Sequence, residues 1–304
     1  MPDERELVHV PGGDAALAEA RSSLVARARK DAASLVSREG LTLSSPSGIV
    51  GRTESDEVDG DADPFMVGLQ YETGDHIPQD YQLAAFWYRK AAEGGDSYAQ
   101  NNLGALYEEG DGVPQDFKEA AFWYRKAAEQ GNVGALCNLG SLYELGKGVA
   151  KDCAQAATWY REAADQYAHG TAPDYELAAH FYRKAADQGD PWAQLQLGLL
   201  YKTGRGVPKD DVQAAAWIGK ASEHAMPAAN YNLGLLYLQG RGVPHDDVEA
   251  YFRFCIATTT TWINDEYVRL REIAGARLTG GQRSGVRKRV DHWYAVNPHI
   301  TTLF

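Results

Sequence analysis

Pairs of glycines one residue apart recur at 110/112, 146/148, 204/206 and 240/242, a backbone type that can wrap a phosphate. A dinucleotide loop also needs a preceding strand and a third glycine, and a P-loop needs Gly-Lys-Ser/Thr; none of the four sites has either. All four are copies of one turn, so turn chemistry explains them. Asp59-Gly-Asp-Ala-Asp63 opens like a calcium loop. However, Pro64 stands where the required glycine belongs and Gln70 where a bidentate Glu should close the shell. It reads as an acidic linker. The eight histidines are scattered (His9, His76, His169, His180, His224, His245, His292, His299), with no HExxH and no Cys/His set at zinc spacing. Cys137, Cys153 and Cys255 contain no CxxC pair and, as an odd number, no disulfide framework. Neither Ser-x-x-Lys nor Gly-x-Ser-x-Gly occurs, so no serine nucleophile is announced. No catalytic residue, metal ligand or cofactor site is therefore assigned.

The elements that carry these residues are periodic. An aspartate opens the second half of each unit at Asp80, Asp116, Asp152, Asp174, Asp210 and Asp246, with gaps of 36 residues and a single gap of 22. A period of this size means stacked small units, none able to bury its apolar face alone. Each unit holds two helices. The first, as in Ser97–Glu109, ends at Gly110, Gly146, Gly204 or Gly240, where a left-handed C-cap residue is wanted. Pro114, Pro208 and Pro244 prevent continuation. The aspartate then caps the second helix, and Glu119, Gln155, Gln213 and Glu249 stand three positions on, as in a capping box.

The second helix buries Ala84, Trp87, Tyr88 and Ala91, repeated as Ala120, Trp123, Tyr124 and Ala127, at i, i+3, i+4, i+7. Trp87, Trp123, Trp159 and Trp217 share one column. At helical spacing they are core rather than a ligand box. Gly68, Gly104, Gly140, Gly198 and Gly234 sit mid-way along the first helices, each costing roughly 1 kcal/mol of helix propensity. That cost implies a close approach there by a neighbouring helix or by the unit's own Trp. The 22-residue interval lacks a first helix. The helix from Asp152 ends near Gln166 and another second-type helix starts at Asp174, which predicts a local break near 165–175.

The expected fold is all-α: a right-handed α/α solenoid of antiparallel helix pairs over 64–259. An N-terminal helix lies in 1–40 (Asp14 to about Ser37), an acidic flexible linker in 41–63, and a helical cap in 260–304. Within the cap, Arg269 to Arg277 forms one helix and a second follows Thr279, with Val286, Val290, Trp293 and Tyr294 apolar. A formal charge of −12 argues against a nucleic-acid partner. The late basic run, Arg269 to Arg289, reads as a solvated helix face. No apolar stretch approaches membrane-spanning length, and the acidic N-terminus does not resemble a signal peptide, so a cytoplasmic protein is expected.

The columns Asn-Leu-Gly-x-Leu-Tyr, Gly-x-Gly-Val-Pro-x-Asp and Ala-Ala-x-Trp-Tyr-Arg-Lys-Ala-Ala resemble the Sel-one-like repeat family, a branch of the tetratricopeptide-type helical repeats, over about 64–259. The tail from Ala276 to Trp293 is similar to the closing helices of bacterial members. Those usually carry Thr-Pro-Glu-Gln at the last helix start. Here the run is Thr279-Gly280-Gly281-Gln282, which implies a weaker or shifted helix. The resemblance implies an adaptor that binds other proteins. Some secreted relatives are discussed as penicillin-binding enzymes, making a hydrolase or beta-lactam-binding protein the alternative. Those relatives carry paired cysteines in each repeat, which this chain lacks.

In such a solenoid the first helices line the concave surface. Counting 100° per residue from Ala99, Leu103 and Leu106, positions 98, 102 and 105 flank the buried stripe. The amide column there is Asn102, Asn138, Gln196 and Asn232, which can offer donors and acceptors to a peptide backbone or instead pair with neighbouring helices. Tyr98, Trp192 and Leu199 beside it suit partner anchors.

Overall fold

The computed structural model describes residues 63–75, 77–171, 173–258 and 264–296. The expected N-terminal helix, and the acidic linker up to its last residue, lie outside them. Thirteen helices and no strand occur among the described residues. In chain order they are α1 (Pro64–Thr73), α2 (Tyr81–Glu93), α3 (Ser97–Glu109), α4 (Phe117–Glu129), α5 (Val133–Leu145), α6 (Cys153–His169) and α7 (Tyr175–Asp187). Then follow α8 (Pro191–Thr203), α9 (Asp211–Ser222), α10 (Pro227–Gln239), α11 (Asp247–Ala257), α12 (Asp265–Ala276) and α13 (Gly280–Val296). The chain divides into two compact units, one ending at Ala135 and one beginning at Leu136.

In the first unit α1 packs on α2, α2 on α3 and α3 on α4. The pairs are antiparallel. Phe65, early in α1, lies 5.8 Å from the Tyr88 ring, whereas the Tyr71 carbonyl near the end of α1 accepts from Asp80 N just before α2 (2.9 Å). Helix starts follow the expected chemistry, with one correction. Asp80 and Asp116 each accept from the second and third backbone N–H of the helix they open, at 2.8–3.2 Å. The return bond of a capping box is not made. The Asp116 N–H donates instead to the Tyr107 carbonyl (2.9 Å), which locks the cap to the preceding helix.

The mid-helix glycines are also explained: of the two expected intruders, it is the neighbouring helix and not the tryptophan that presses on them. A Cβ at Gly104 would lie 2.7 Å from Tyr124 Cδ1, and one at Gly68 2.7 Å from Tyr88 Cδ1. The side chain pressed against the backbone is the tyrosine, one residue beyond the tryptophan. The tryptophan column fills in beside it: Trp123 and Trp217 are buried, Trp87 and Trp159 half-buried. The second glycine of the paired turn has a reason of its own. At φ 68, Gly112 seats so closely on α2 that a Cβ would fall 2.2 Å from the Tyr81 carbonyl. That is a packing contact between turn and helix, not a phosphate cradle.

In the second unit α6 packs on α7, α7 on α8, and so on to α11, which meets both α12 and α13. At 165–175 the alternation breaks as expected: α6 and α7 are both second-type helices. Helix α6 runs past Gln166 to His169, 17 residues in all, and serves twice. Its N-terminal half pairs with α5, where Gly140 faces Tyr160. Its C-terminal half does the work of a first helix. Tyr167 O accepts from Asp174 N (2.8 Å), the same lock as Tyr107 with Asp116, across seven residues instead of nine. The shortened loop changes the cap: Asp174 accepts from Leu177 N, the third residue of the helix (3.0 Å). Helix α13 begins at Gly280 with both halves of a capping box, Gln282 N to Thr279 Oγ1 (3.3 Å) and Thr279 N to Gln282 Oε1 (2.9 Å). The double glycine therefore does not displace that start. Val286 of α13 covers Phe252 and Ile256 of α11, closing the last apolar face.

Candidate interaction site

The flank expected to bind a partner is built separately in the two units. In the first, α3 presents Tyr98, 44% exposed, with its ring 6.2 Å from that of Phe65. One turn on, Asn102 is half-buried and its Oδ1 accepts from Asn101 Nδ2 (3.3 Å). In the second unit, α8 presents Trp192, 40% exposed, whose indole N–H points to Asp165 Oδ1 (3.4 Å). The same carboxylate oxygen accepts from Tyr182 Oη (2.5 Å), so the shared helix α6 steadies Trp192. Gln196 and Asn138 are half-buried.

Two of the expected site residues are used by the fold. Asn232 donates to Ala228 O (2.9 Å) and accepts from Lys202 Nζ (2.9 Å). Burial, with Arg241 nearby, draws the Lys202 ammonium below its usual range. Leu199 packs on the apolar cluster of Leu195, Ile218 and Leu233.

A different amide column fixes the stack, and sequence reasoning missed it. Gln100, Gln194 and Asn230 are buried, and each donates to a carbonyl eight residues back: Ala92 O (3.0 Å), Ala186 O (3.2 Å) and Ser222 O (3.2 Å). Each bond ties the end of a second helix to the next first helix. Gln100 Oε1 also accepts from Gln130 Nε2 (2.7 Å). The signal was available: an amide in a buried column, with Leu136 as its apolar exception.

A second recurrent pair joins the tyrosine column to a carboxylate. Tyr124 Oη donates to Glu108 (2.9 Å) and Tyr160 Oη to Glu144 (2.7 Å). In the later repeats the tyrosine becomes Ile218 and Phe254 while the acid becomes Lys202 and Leu238, so both members change together. Because α7 packs directly on α6, Lys184 reaches Glu144 (3.0 Å) as well as Tyr160 Oη (3.2 Å). Burial would raise the Glu144 pKa, but the Tyr160 hydrogen bond and the Lys184 charge outweigh it and hold the carboxyl below its usual range. Burial, helped by Lys184 and Arg183, pushes His180 down. Among the described residues no group of three or more His, Cys, Asp or Glu is arranged to hold a metal, and no helix is long and apolar enough to cross a membrane.

This is a tandem α/α repeat whose exposed first-helix flank carries aromatics and amides. The Sel1 repeat matches it six times, at 65–96, 97–132, 133–167, 166–190, 193–225 and 227–252, together more than half of the chain. The chain belongs to the Sel1 repeat family, whose members are generally protein–protein interaction scaffolds. The fourth match begins inside α6, where the helix changes role. Among solved structures the chain is similar to c5321 of uropathogenic Escherichia coli, described as a protective antigen displaying an SLR fold. That likeness is 26% identity over 76% of this chain and 68% of that one, with a TM-score of 0.39. It is also similar to a Sel1 repeat protein from Oxalobacter formigenes, at 31% identity over 67% of this chain and 75% of that one, TM-score 0.34. No curated protein matches the chain.

Proposed function

We propose that this chain is a non-enzymatic, cytoplasmic interaction scaffold or adaptor that holds a protein or peptide partner on the flank of its first helices. Tyr98 and Trp192 are the anchors, with Asn102 and Gln196 as adjacent hydrogen-bonding groups. Asn138 and Asn232 continue the amide column, and Leu199 shares the flank of the first helix that carries Trp192. The observation that carries this reading is the exposure of Tyr98 and Trp192, 44% and 40%, at the second position of α3 and α8. Large aromatics kept in solvent beside half-buried amides match the composition of interface hot spots. The co-varying Tyr–Glu pairs and the buried amide clamps show where polar groups serve the stack, and none of those is an anchor.

The test is co-purification from native cells with wild type, Tyr98→Ala/Trp192→Ala, and Asn102→Ala/Gln196→Ala, with melting curves for each. The reading expects the aromatic pair to release partners while melting is unchanged, with a smaller loss for the amide pair. Partners retained in full by a folded Tyr98→Ala/Trp192→Ala protein would overturn it.

A further inference from the structure

The closing helices carry a second feature, separate from the first-helix flank. Residues 264–296 hold seven basic against four acidic side chains in a chain of net charge −12. The structure sorts the arginines into two sets. Arg269, Arg277 and Arg289 are neutralised by Glu266 (3.1 Å), Asp247 (3.1 Å) and Glu249 (2.7 Å). Arg271, Arg283 and Arg287 have no carboxylate partner among the described residues, and all three line one open cleft of about 910 Å³ between α11, α12 and α13. Arg271 is held by Thr258 Oγ1 (3.1 Å), and Arg283 reaches the Gly275 carbonyl (3.5 Å). Tyr251 and Cys255 line the cleft from the α11 side, and Val290 adds an apolar surface. Glu272 and Asp291 are the two acids on its lining.

The arginine fields converge on the α11 side. Burial raises the Cys255 thiol, while Arg271 and Arg287 oppose it; burial likewise raises the Tyr251 hydroxyl, against Arg271 and Arg283. Three guanidiniums without an ion-pair partner, against two lining carboxylates, leave this concavity with a net positive charge, while the other arginines of the same helices are paired.

We propose that this cleft is a docking site for an extended, carboxylate-rich peptide segment of a partner protein, gripped by Arg271, Arg283 and Arg287. The spacing selects an extended chain. Arg283 and Arg287 stand one turn apart on α13, a rise of about 6 Å. Acidic residues at i and i+2 of an extended peptide are about 6.7 Å apart, so alternate side chains can each meet one guanidinium fork.

The experiment is fluorescence anisotropy of labelled Glu-Ala-Glu-Ala-Glu-Ala-Glu added to the full chain. A block isomer, Glu-Glu-Glu-Glu-Ala-Ala-Ala, carries the same charge, and citrate serves as competitor. The alternating peptide is expected to bind about tenfold tighter than the block isomer. It should weaken about tenfold per arginine in Arg283→Ala/Arg287→Ala and be unaffected by Arg269→Ala. Because α13 covers α11, Arg283→Lys/Arg287→Lys is measured alongside. It keeps the charge and the stem but loses the fork, and should weaken binding by less than the alanine pair. Equal affinity for the two peptides, unchanged binding in the alanine or lysine pair, or citrate competing as strongly as the alternating peptide would overturn the proposal.

Discussion

Replacing Gly104 by Ala adds one methyl group to a helix interior, which on propensity alone is worth up to about 1 kcal/mol of stabilisation. The structure predicts the opposite sign. The new Cβ would sit 2.7 and 2.8 Å from two ring carbons of Tyr124, a side chain only 1% exposed, and 3.3 Å from the Ala120 carbonyl. Overpacking of this kind costs about 1–3 kcal/mol. The ring can yield only by moving its hydroxyl, 2.9 Å from Glu108, and a disturbed buried hydrogen bond to a carboxylate adds about 1–3 kcal/mol. After the propensity gain, the net loss is about 1–5 kcal/mol, or roughly 2–8 °C in midpoint for a chain of this size. Gly219→Ala in α9 is the matched control: nothing lies within 4 Å of its Cβ position, so it should gain up to about 1 kcal/mol. Thermal unfolding followed by circular dichroism reads both, and hydrogen exchange localises the loosening to α3 and α4, since tandem repeats need not melt as one. A Gly104→Ala protein as stable as wild type, or a destabilised Gly219→Ala, would refute the close-approach account.

Tyr124→Phe keeps the ring and removes the donor to the buried Glu108, so urea unfolding should show a loss of about 1–2 kcal/mol. Gln100→Ala breaks two bonds of the buried clamp, to Ala92 O and from Gln130, and should cost about 1–3 kcal/mol by the same assay, with faster exchange at the α2–α3 turn. His180 has a folded pKa pushed below its ordinary 6.5, so the unfolded chain binds the proton more readily. Stability should therefore fall as the pH drops below about 6.5. A melting series in wild type and His180→Asn should show this slope only in wild type. Glu144, also depressed, contributes stability above its unfolded value near 4.5 that disappears as pH falls further; Glu144→Gln should flatten that acid limb.

Much of the local structure was legible because the repeat writes its own punctuation. The aspartate caps, the glycine C-caps and the apolar columns each arise from neighbours a few residues away, and helical spacing exposes them. Contacts between the two helices of a pair were harder. The glycine column announced a close approach, but Tyr and Trp are adjacent in sequence and differ by 100° around the helix, so only the packing shows that Tyr124 is the intruder. The buried amide column of Gln100, Gln194 and Asn230 was missed in the same way. Asn102 and Gln100 are both amides two residues apart, yet Gln100 points to the preceding turn and Asn102 to the flank. The double use of α6 was visible as a missing segment. That Tyr167 restores the lock to Asp174 depended on a seven-residue loop geometry that no spacing rule supplies. For the site, residue types were readable, but Leu199 and Asn232 are drawn into packing by Ile218 and Lys202, neighbours from other helices.

If partners dock on the first-helix flank, at Tyr98 in one unit and at Trp192 in the other, site-specific photocrosslinking will trap them there. A photoreactive phenylalanine at 98 or 192, introduced in native cells, should give discrete protein adducts, whereas the same group at Val212, which is 63% exposed on α9, should give none. Adducts at 212 equal to those at 98 and 192, or none at either aromatic position, would contradict the account.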